Sequence, residues 1–410
     1  MTGRPMQGVR VVEVAQYTFV PAAGAVLADW GAEVIKIEHA VTGDHQRGLV
    51  KLGIVPAKGT FAPIMEHPNR SKRSIGLALE HPEGLEILHQ LLRWADVFTT
   101  NFLPDARARL KIDVDDVWAV NPNIIYARGS ALGTRGPGRT KGGYDQSTYW
   151  CRGGSSAGVT PADVVHDGVC AMPAPAYGDS IGAMHIAGGI AAALFARERT
   201  GEPSVVDVSL LSTGAWANAL AVDISMITGE PWLAGPVRDP GAPMNPLSRR
   251  YRTSDDRWIQ LSMLQGGRYW ADFCVHLGRP ELAGDERFNT DAALSQHADE
   301  AGAIIAAEIA SATLAEWTKR FDPMEGPWDP VQNSLEVGHD EQLRTNGFVA
   351  DVVDVEGNTR QLVTAPVQFD ETPATPTRGP QFAEHTDEIL AELGLDPDHI
   401  IELKIAGAVT

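Results

Sequence analysis

The segment 9–38, VRVVEVAQYTFVPAAGAVLADWGAEVIKIE, decides the fold. Val9–Val14 is a short β-branched run and reads as a strand. Pro21 opens a helix that runs to Trp30, since a proline in the first turn gives up no helical hydrogen bond, and Gly31 ends it. Ala32–Glu38 is the next strand. Strand, helix and strand in succession make a βαβ unit, so an α/β chain with a parallel sheet is expected.

The alternation continues outward. Arg73–Leu79 reads as strand, His81–Ala95 as helix, Asp96–Phe102 as strand, Val114–Val120 as helix and Asn123–Arg128 as strand. A glycine-rich loop, Gly133–Gly143, follows. Then come a long helix, Ser180–Arg199, a β run, Val205–Leu210, and a helix to about Thr228. Proline and glycine crowd into Pro231–Pro246, which marks a domain boundary. Beyond it, Arg250–Thr253 and Trp258–Met263 form a hairpin around Asp255-Asp256. Helices lead to Phe321, and a proline-rich return occupies Asp322–Pro330. A second hairpin, Phe348–Val355 with Gln361–Val367, turns at Glu356-Gly357-Asn358. A last helix, Thr386–Leu393, stops at Gly394. The expected division is a large domain of residues 1–228 and 331–410, with a small domain of 229–330 between.

Composition narrows the function classes. The 410 residues carry 34 Lys and Arg against 53 Asp and Glu, a net charge of −19. Such a balance argues against a nucleic-acid binder, which needs a basic face, and disfavours docking on anionic lipid. An anionic small ligand needs a local basic pocket working against that field. The three cysteines, Cys151, Cys170 and Cys274, make no disulfide framework, so a reduced, cytoplasmic protein is expected. No secretory signal is read at the N-terminus, and the apolar stretch Ile181–Ala196 is too short to span a bilayer and reads as a core helix.

Several familiar chemistries are disfavoured. The first β–α junction, Ala15–Pro21, has no glycine, so the dinucleotide fingerprint is absent and a nicotinamide or flavin is not expected. Gly154-Ser155-Ser156-Ala157-Gly158 fits G-x-S-x-G but lacks the strand before and the helix after that a nucleophile elbow needs. Histidines are scattered, and no metal site is expected. Tyr177-Gly178-Asp179-Ser180 stands out, because it puts Asp179 at the start of the long helix. Asp and Ser are common helix caps, and most do nothing else. A carboxylate held ionised by a helix N-terminus can also act as a nucleophile toward an acyl carbon. Basic residues cluster at Arg70-Lys72-Arg73, Arg107-Arg109 and Arg135-Arg139-Lys141. Most such residues are solvated surface. The last two clusters, however, follow predicted strands, where open α/β sheets bind ligands, and suggest a phosphate-bearing one.

The ordered motifs resemble class III coenzyme A transferases of the CaiB/BaiF type, the group with formyl-CoA transferase, carnitine CoA-transferase and α-methylacyl-CoA racemase. They include Gly8–Glu13, Leu27–Glu38, Gly43-Asp44 with Arg47, Asn69–Ile75, Pro82-Glu83-Gly84 and Ala95-Asp96-Val97. Further along are Asn101-Phe102, Gly143-Tyr144-Asp145, Gly178-Asp179-Ser180, Val206–Leu210 and Glu384–Leu390. The resemblance implies a Rossmann-like large domain, a smaller α+β domain and an interlocked homodimer. It implies Asp179 as the nucleophile, with acyl-CoA and a carboxylic acid as substrates and no prosthetic group. It implies CoA contacts at Gln16, Tyr17, Thr18, His39, Leu77, Asn101, Phe102, Ala106, Arg109, Lys141, Tyr144 and Asp145. His39 stands where relatives often carry a phosphate-pairing Arg, which weakens that contact or makes it pH-dependent. Racemases place a His where this chain has Tyr144 and a Glu where it has Gln265, so a transferase is favoured over a racemase or a CoA-binding homologue without turnover. Trp150, Trp216, Trp232 and Trp270 suggest a bulky apolar acid if any of them lines the acyl site, and the insertion Val159–Pro175 could shape the same pocket.

Overall fold

The computed structural model describes residues 4–160, 174–232 and 245–410. Residues 1–235 with 341–410 form one compact unit, and 236–340 form another.

In the first unit the expected alternation is present as β1 (Arg10–Val14), α1 (Phe19–Asp29), β2 (Glu33–His39), α2 (Gln46–Lys51), α3 (Pro63–Asn69) and β3 (Arg73–Leu77). It continues with α4 (Pro82–Trp94), β4 (Val97–Thr100), α5 (Pro104–Leu110), α6 (Val114–Val120) and β5 (Ile125–Ser130). A π-helix, Asp145–Arg152, and α7 (Ser155–Val159) come before α8 (Tyr177–Thr200). Then follow β6 (Val205–Ser209), α9 (Leu210–Ala217) and α10 (Ala219–Thr228).

The six strands form one parallel sheet in the order β3-β2-β1-β4-β5-β6. This is the doubly wound order, which reverses between β1 and β4. Strand side chains alternate between faces, so both sides must be covered. Val11, Val34, Val97 and Ile125 pack under α1 and α8 with Val20, Leu27, Ile186 and Ile190. Val12, Ile35, Ile75, Phe98 and Tyr126 pack on the other side with Leu88, Val117, Ile389 and Leu403.

Short elements escaped the sequence reading. Helices α2, α3, α5 and α7 and the π-helix are too brief to display a 3.6-residue period. Helix α8 begins at Tyr177 rather than Ser180, so Asp179 lies inside its first turn and does not cap it. It packs tightly on α1: a Cβ on Gly182 would sit 2.4 Å from the Phe19 ring. Only a third of its apolar window is buried, less than a core helix would show. The helix expected to reach Thr228 breaks at Asn218, with α9 and α10 bent by 73°.

Under the sheet's C-terminal edge lies a cluster of buried ions. Lys36 Nζ is 3.0 Å from Asp44 and 3.3 Å from Glu13, and donates to the Ala15 carbonyl at 2.8 Å. Lys72 Nζ lies 2.7 Å from Glu13. Glu38 holds Arg47 in a two-pronged pair at 2.7 Å. Burial by itself would lower Lys36, but Asp44, Glu13 and Glu38 outweigh it and hold the ammonium above its usual range. The formal charges balance, Lys36, Lys72 and Arg47 against Glu13, Glu38 and Asp44, while burial brings the Lys72 ammonium down to about 7. These residues also account for the Lys72 of the first basic cluster; its neighbours Arg70 and Arg73 pair with Asp29 and Glu388.

The second unit has β7 (Arg250–Arg252), β8 (Trp258–Leu261) and β9 (Trp328–Pro330) as an antiparallel sheet. Its core is aromatic, with Trp270, Phe273, Phe288, Trp317 and Phe321. The C-terminal hairpin, β10 (Val349–Val353) with β11 (Thr359–Val363), belongs to the first unit and turns at Gly357 with φ 83°.

Removing one buried charge strands its partners. Lys36→Met is therefore expected to destabilise the chain by about 3–5 kcal/mol, read as the midpoint of urea unfolding. A loss under 1 kcal/mol would mean that the cluster contributes little.

Candidate active site

A cavity of about 1000 Å³ opens where the strand order reverses. That is where open α/β sheets bind ligands, outside the carboxyl ends of the strands, and the volume lies at the upper end for a small-molecule site.

Two loops meet at the switch point. After β1, Gln16 donates its N–H to Asn101 Oδ1 at 3.0 Å, and Asn101 Nδ2 returns a bond to the Gln16 carbonyl at 2.6 Å. Asn101 follows β4, so this reciprocal pair ties the two diverging connections together. Tyr17 next to it is left-handed, φ 63°. The turn thus lacks a glycine yet adopts a conformation that glycine usually supplies. Asp44 Oδ1 accepts the Tyr17 N–H at 3.1 Å, which links the turn to the buried ions below. The Tyr17 and Tyr144 rings meet edge to face at 5.4 Å. Burial and the neighbouring Tyr144 push the Tyr17 phenol up to about 12, so it stays protonated.

Of the residues assigned to the site from sequence, Gln16, Tyr17, His39, Leu77, Asn101, Phe102, Ala106, Arg109, Lys141, Tyr144 and Asp179 line this cavity. Two do not. Thr18 is buried at the start of α1, where its hydroxyl donates to Gln46 Oε1 at 3.1 Å. Asp145 is buried too and turns to the backbone of Gly178, 3.0 Å away. A third assignment changes character. His39 Nδ1 accepts the N–H groups of both Val41 and Thr42 at 3.2 Å, which leaves Nε2, 3.8 Å from Glu80, as its free ring nitrogen. A ligand would meet Nε2 and not Nδ1, which the backbone occupies.

The basic clusters divide by use. Arg107 is spent on Asp113 and on the Phe102 carbonyl, and Arg128 on Asp207. Arg109, Arg139 and Lys141 line the cavity with no ion-pair partner among the described residues. Arg139 was read from sequence only as part of a cluster; closure of the 133–143 loop beside the cavity singles it out, which no spacing rule could show. Glu80, beside His39, also lines the cavity and was not read from sequence at all.

Asp179 enters from the first turn of α8. Its carboxylate has no hydrogen-bond or ion-pair partner among the described residues. Burial first, and the Asp145 carboxylate second, push it up to about 7. The helix dipole was expected to keep it ionised; desolvation outweighs the dipole, since Asp179 is more than half buried and Asp145 takes the Gly178 N–H. None of the four tryptophans lines the cavity. Trp270 is core, its indole N–H donating to Leu282 at 2.9 Å, Trp150 is buried, and Trp216 and Trp232 are exposed. The G-x-S-x-G segment follows a π-helix rather than a strand, but it is not a loop: it forms helix α7 from Ser155, against the expectation that no helix would stand there. Most of the 159–175 insertion, and Cys170, lie outside the described residues.

Residues 6–386 match the family described as CoA-transferase family III. The chain belongs to that family. It is 31% identical to an (R)-2-hydroxy-4-methylpentanoate CoA-transferase of Clostridioides difficile, over 97% of this chain and 98% of the relative. It is 31% identical to a cinnamoyl-CoA:phenyllactate CoA-transferase of Clostridium sporogenes, over 97% and 95%. A crystal structure of a CaiB/BaiF family protein from Brucella suis superposes with TM-score 0.78 at 25% identity, covering 96% of this chain and 100% of that one.

A carboxyl group with a raised pKa costs folding free energy wherever it must ionise. An unfolded Asp ionises near 4, whereas folded Asp179 does so near 7. Its protonated form favours the native state below about pH 4, and this is lost as pH rises to 7. Asp179→Asn is therefore expected to raise stability at pH 8 by about 2 kcal/mol, after discounting for partial exposure. The gain should shrink toward pH 5. Melting curves at both pH values check it, and an equal effect at both would exclude a titrating Asp179 as the cause.

Proposed function

We propose that this chain is an acyl-CoA:carboxylate CoA-transferase in which Asp179 is the covalent nucleophile. The observation that carries the reading is the unpartnered Asp179 carboxylate facing a cavity that also holds three unpaired cations, in a family III chain. The cations suit the phosphates of CoA, and Asn101, Gln16 and Tyr17 form the floor near the thioester.

The reaction then runs in balanced acyl transfers. The ionised Asp179 attacks the thioester carbonyl carbon, the C–S bond breaks, and CoA leaves as a thiolate. The thiolate attacks the Asp179 carbonyl of the mixed anhydride, which releases the donor acid and leaves an aspartyl-CoA thioester. The acceptor carboxylate attacks that thioester, and the thiolate leaves again. It finally attacks the acceptor's acyl carbon, giving the new acyl-CoA and free Asp179. Each step is an acyl transfer between activated carbons, so the thioester free energy is kept from water only if the site is closed to it. A nucleophile near 7 is a stronger base than an ordinary carboxylate and still ionises at neutral pH.

The acids exchanged are proposed to be branched or aromatic. The names of the two relatives above point to such acids, and Phe19, Ala131 and Leu210 line the cavity with Asp179. The working form is proposed to be an interlocked homodimer in the cytoplasm. Exposed Phe195, Trp216, Leu220, Met226 and Ile227 on α8–α10 support a covering subunit, and the free thiols of Cys151 and Cys274 fit a reducing compartment.

Intact-protein and peptide mass spectrometry after incubation with succinyl-, 4-methylpentanoyl- and cinnamoyl-CoA tests the reading. A CoA adduct, or its hydroxylamine product, is expected on the Asp179 peptide. Asp179→Ala should abolish it and lower transfer by about 10³-fold or more. Exchange of the α-proton with solvent deuterium, without any adduct, would instead indicate a racemase. Tight CoA binding with neither would indicate a homologue without turnover. The acid limb of the pH–rate profile should fall as pH drops through about 7. Arg109→Ala, Arg139→Ala and Lys141→Ala should each raise KM for acyl-CoA by about tenfold, with kcat within about twofold, as loss of one charge-assisted contact does.

A further inference from the structure

Helix α8 reaches the site with no side-chain cap from its own N-cap residue. The cap position, Ala176, is left-handed at φ 57° and offers no side-chain acceptor. The first N–H groups of a helix have no partners within it. A carboxylate in the first turn, such as Asp179, would ordinarily be drawn onto them.

Asp145 occupies that role. Its Oδ1 accepts the Gly178 N–H at 3.0 Å from 33 residues away, and the Tyr177 N–H contributes as well. Its Oδ2 is buried with no hydrogen-bond partner among the described residues. The fit leaves no slack: a Cβ on Gly178 would lie 2.4 Å from Asp145 Oδ1 and 2.2 Å from the Tyr149 ring. Tyr149 stands on the π-helix that Asp145 begins, so one segment clamps the turn with a carboxylate and a ring.

We propose that Asp145 is the positioning residue for Asp179: it caps α8 from a distant segment, which leaves the Asp179 carboxylate unbonded and turned to the cavity. The proposal rests on the transferase reading and deepens it. Burial raises the Asp145 carboxyl too, and wherever it is ionised its charge opposes that of the nucleophile beside it. Other ionisable groups stand around the pair, among them His39, His45 and Tyr144 on the cavity side. Tyr149 and Tyr177 flank Asp145, burial pushes the Tyr149 phenol up, and Tyr17 is held protonated on the cavity side. Ser180 meets His67 Nε2 at 3.2 Å, and burial, with Arg70 beside it, brings His67 down to about 4, so it is neutral. The Asp145 charge acts directly on the ionisation of Asp179, so the two carboxyls are coupled.

The test uses the full chain, with cinnamoyl-CoA as probe and 4-methylpentanoyl-CoA and succinyl-CoA as second probes. It reads the rate of adduct formation on Asp179 against pH, the KM and kcat of transfer, and the melting temperature. Asp145→Asn keeps an oxygen for the Gly178 N–H but removes the charge. Its acid limb should move down by about one pH unit, so it reacts faster than wild type at pH 6 and slower on the plateau. Asp145→Ala loses both features, and kcat should fall about 10–100-fold with KM within twofold. Asn should restore most of that loss. A profile for Asp145→Asn that superimposes on wild type would overturn the proposal, as would an Asp145→Ala variant that melts lower yet forms adduct at the wild-type rate. Absence of any wild-type adduct, with all three thioesters, would overturn the transferase reading and this proposal with it.

Discussion

Six ionisable side chains beneath the carboxyl end of the sheet, all buried but for the part-exposed Arg47, are the constraint on which the site depends. Glu13, Lys36 and Glu38 stand on β1 and β2, and Asp44, Arg47 and Lys72 come from the connections around them. Such a cluster adds little net stability compared with a well-packed apolar core of the same volume. Its effect is on shape. Charges that must be paired in the dry interior permit few arrangements, and this one binds the Ala15 carbonyl and the Tyr17 N–H directly. The first turn, with its left-handed Tyr17, is thereby held without glycine.

The same economy of partners explains the division of the cations. A chain with net charge −19 repels an anionic ligand at long range. Locally, Arg70, Lys72, Arg107 and Arg128 are consumed by carboxylates or carbonyls. Arg109, Arg139 and Lys141 are left over at the cavity. Attraction therefore acts at short range and only where a ligand can reach all three.

Asp179 is stable in the fold chiefly as the neutral acid and useful chiefly as the anion. Desolvation and the Asp145 carboxylate both disfavour its charge. Sites that carry such cost commonly exchange stability for reactivity. The surrounding packing of Gly178, Tyr149 and Phe19 leaves the turn nowhere to relax.

The βαβ alternation of 9–38 was readable because hydrophobic periodicity and the Pro21 and Gly31 boundaries are local properties, and they determined a parallel α/β sheet. The order of motifs likewise determined the family, and most of the residues it singled out, from Gln16 to Asp179, line the cavity. Short helices such as α5 were hidden, since a single turn and a half shows no period. Thr18 and Asp145 do not line the cavity, because adjacency in a motif does not say which way a side chain points. Tertiary structure alone decided that Asp145 reaches Gly178, that Arg139 stays unpaired while Arg107 does not, and that Asp179 titrates near 7. Burial and charge proximity are sums over residues far apart in the chain, and no local pattern of the sequence contains them.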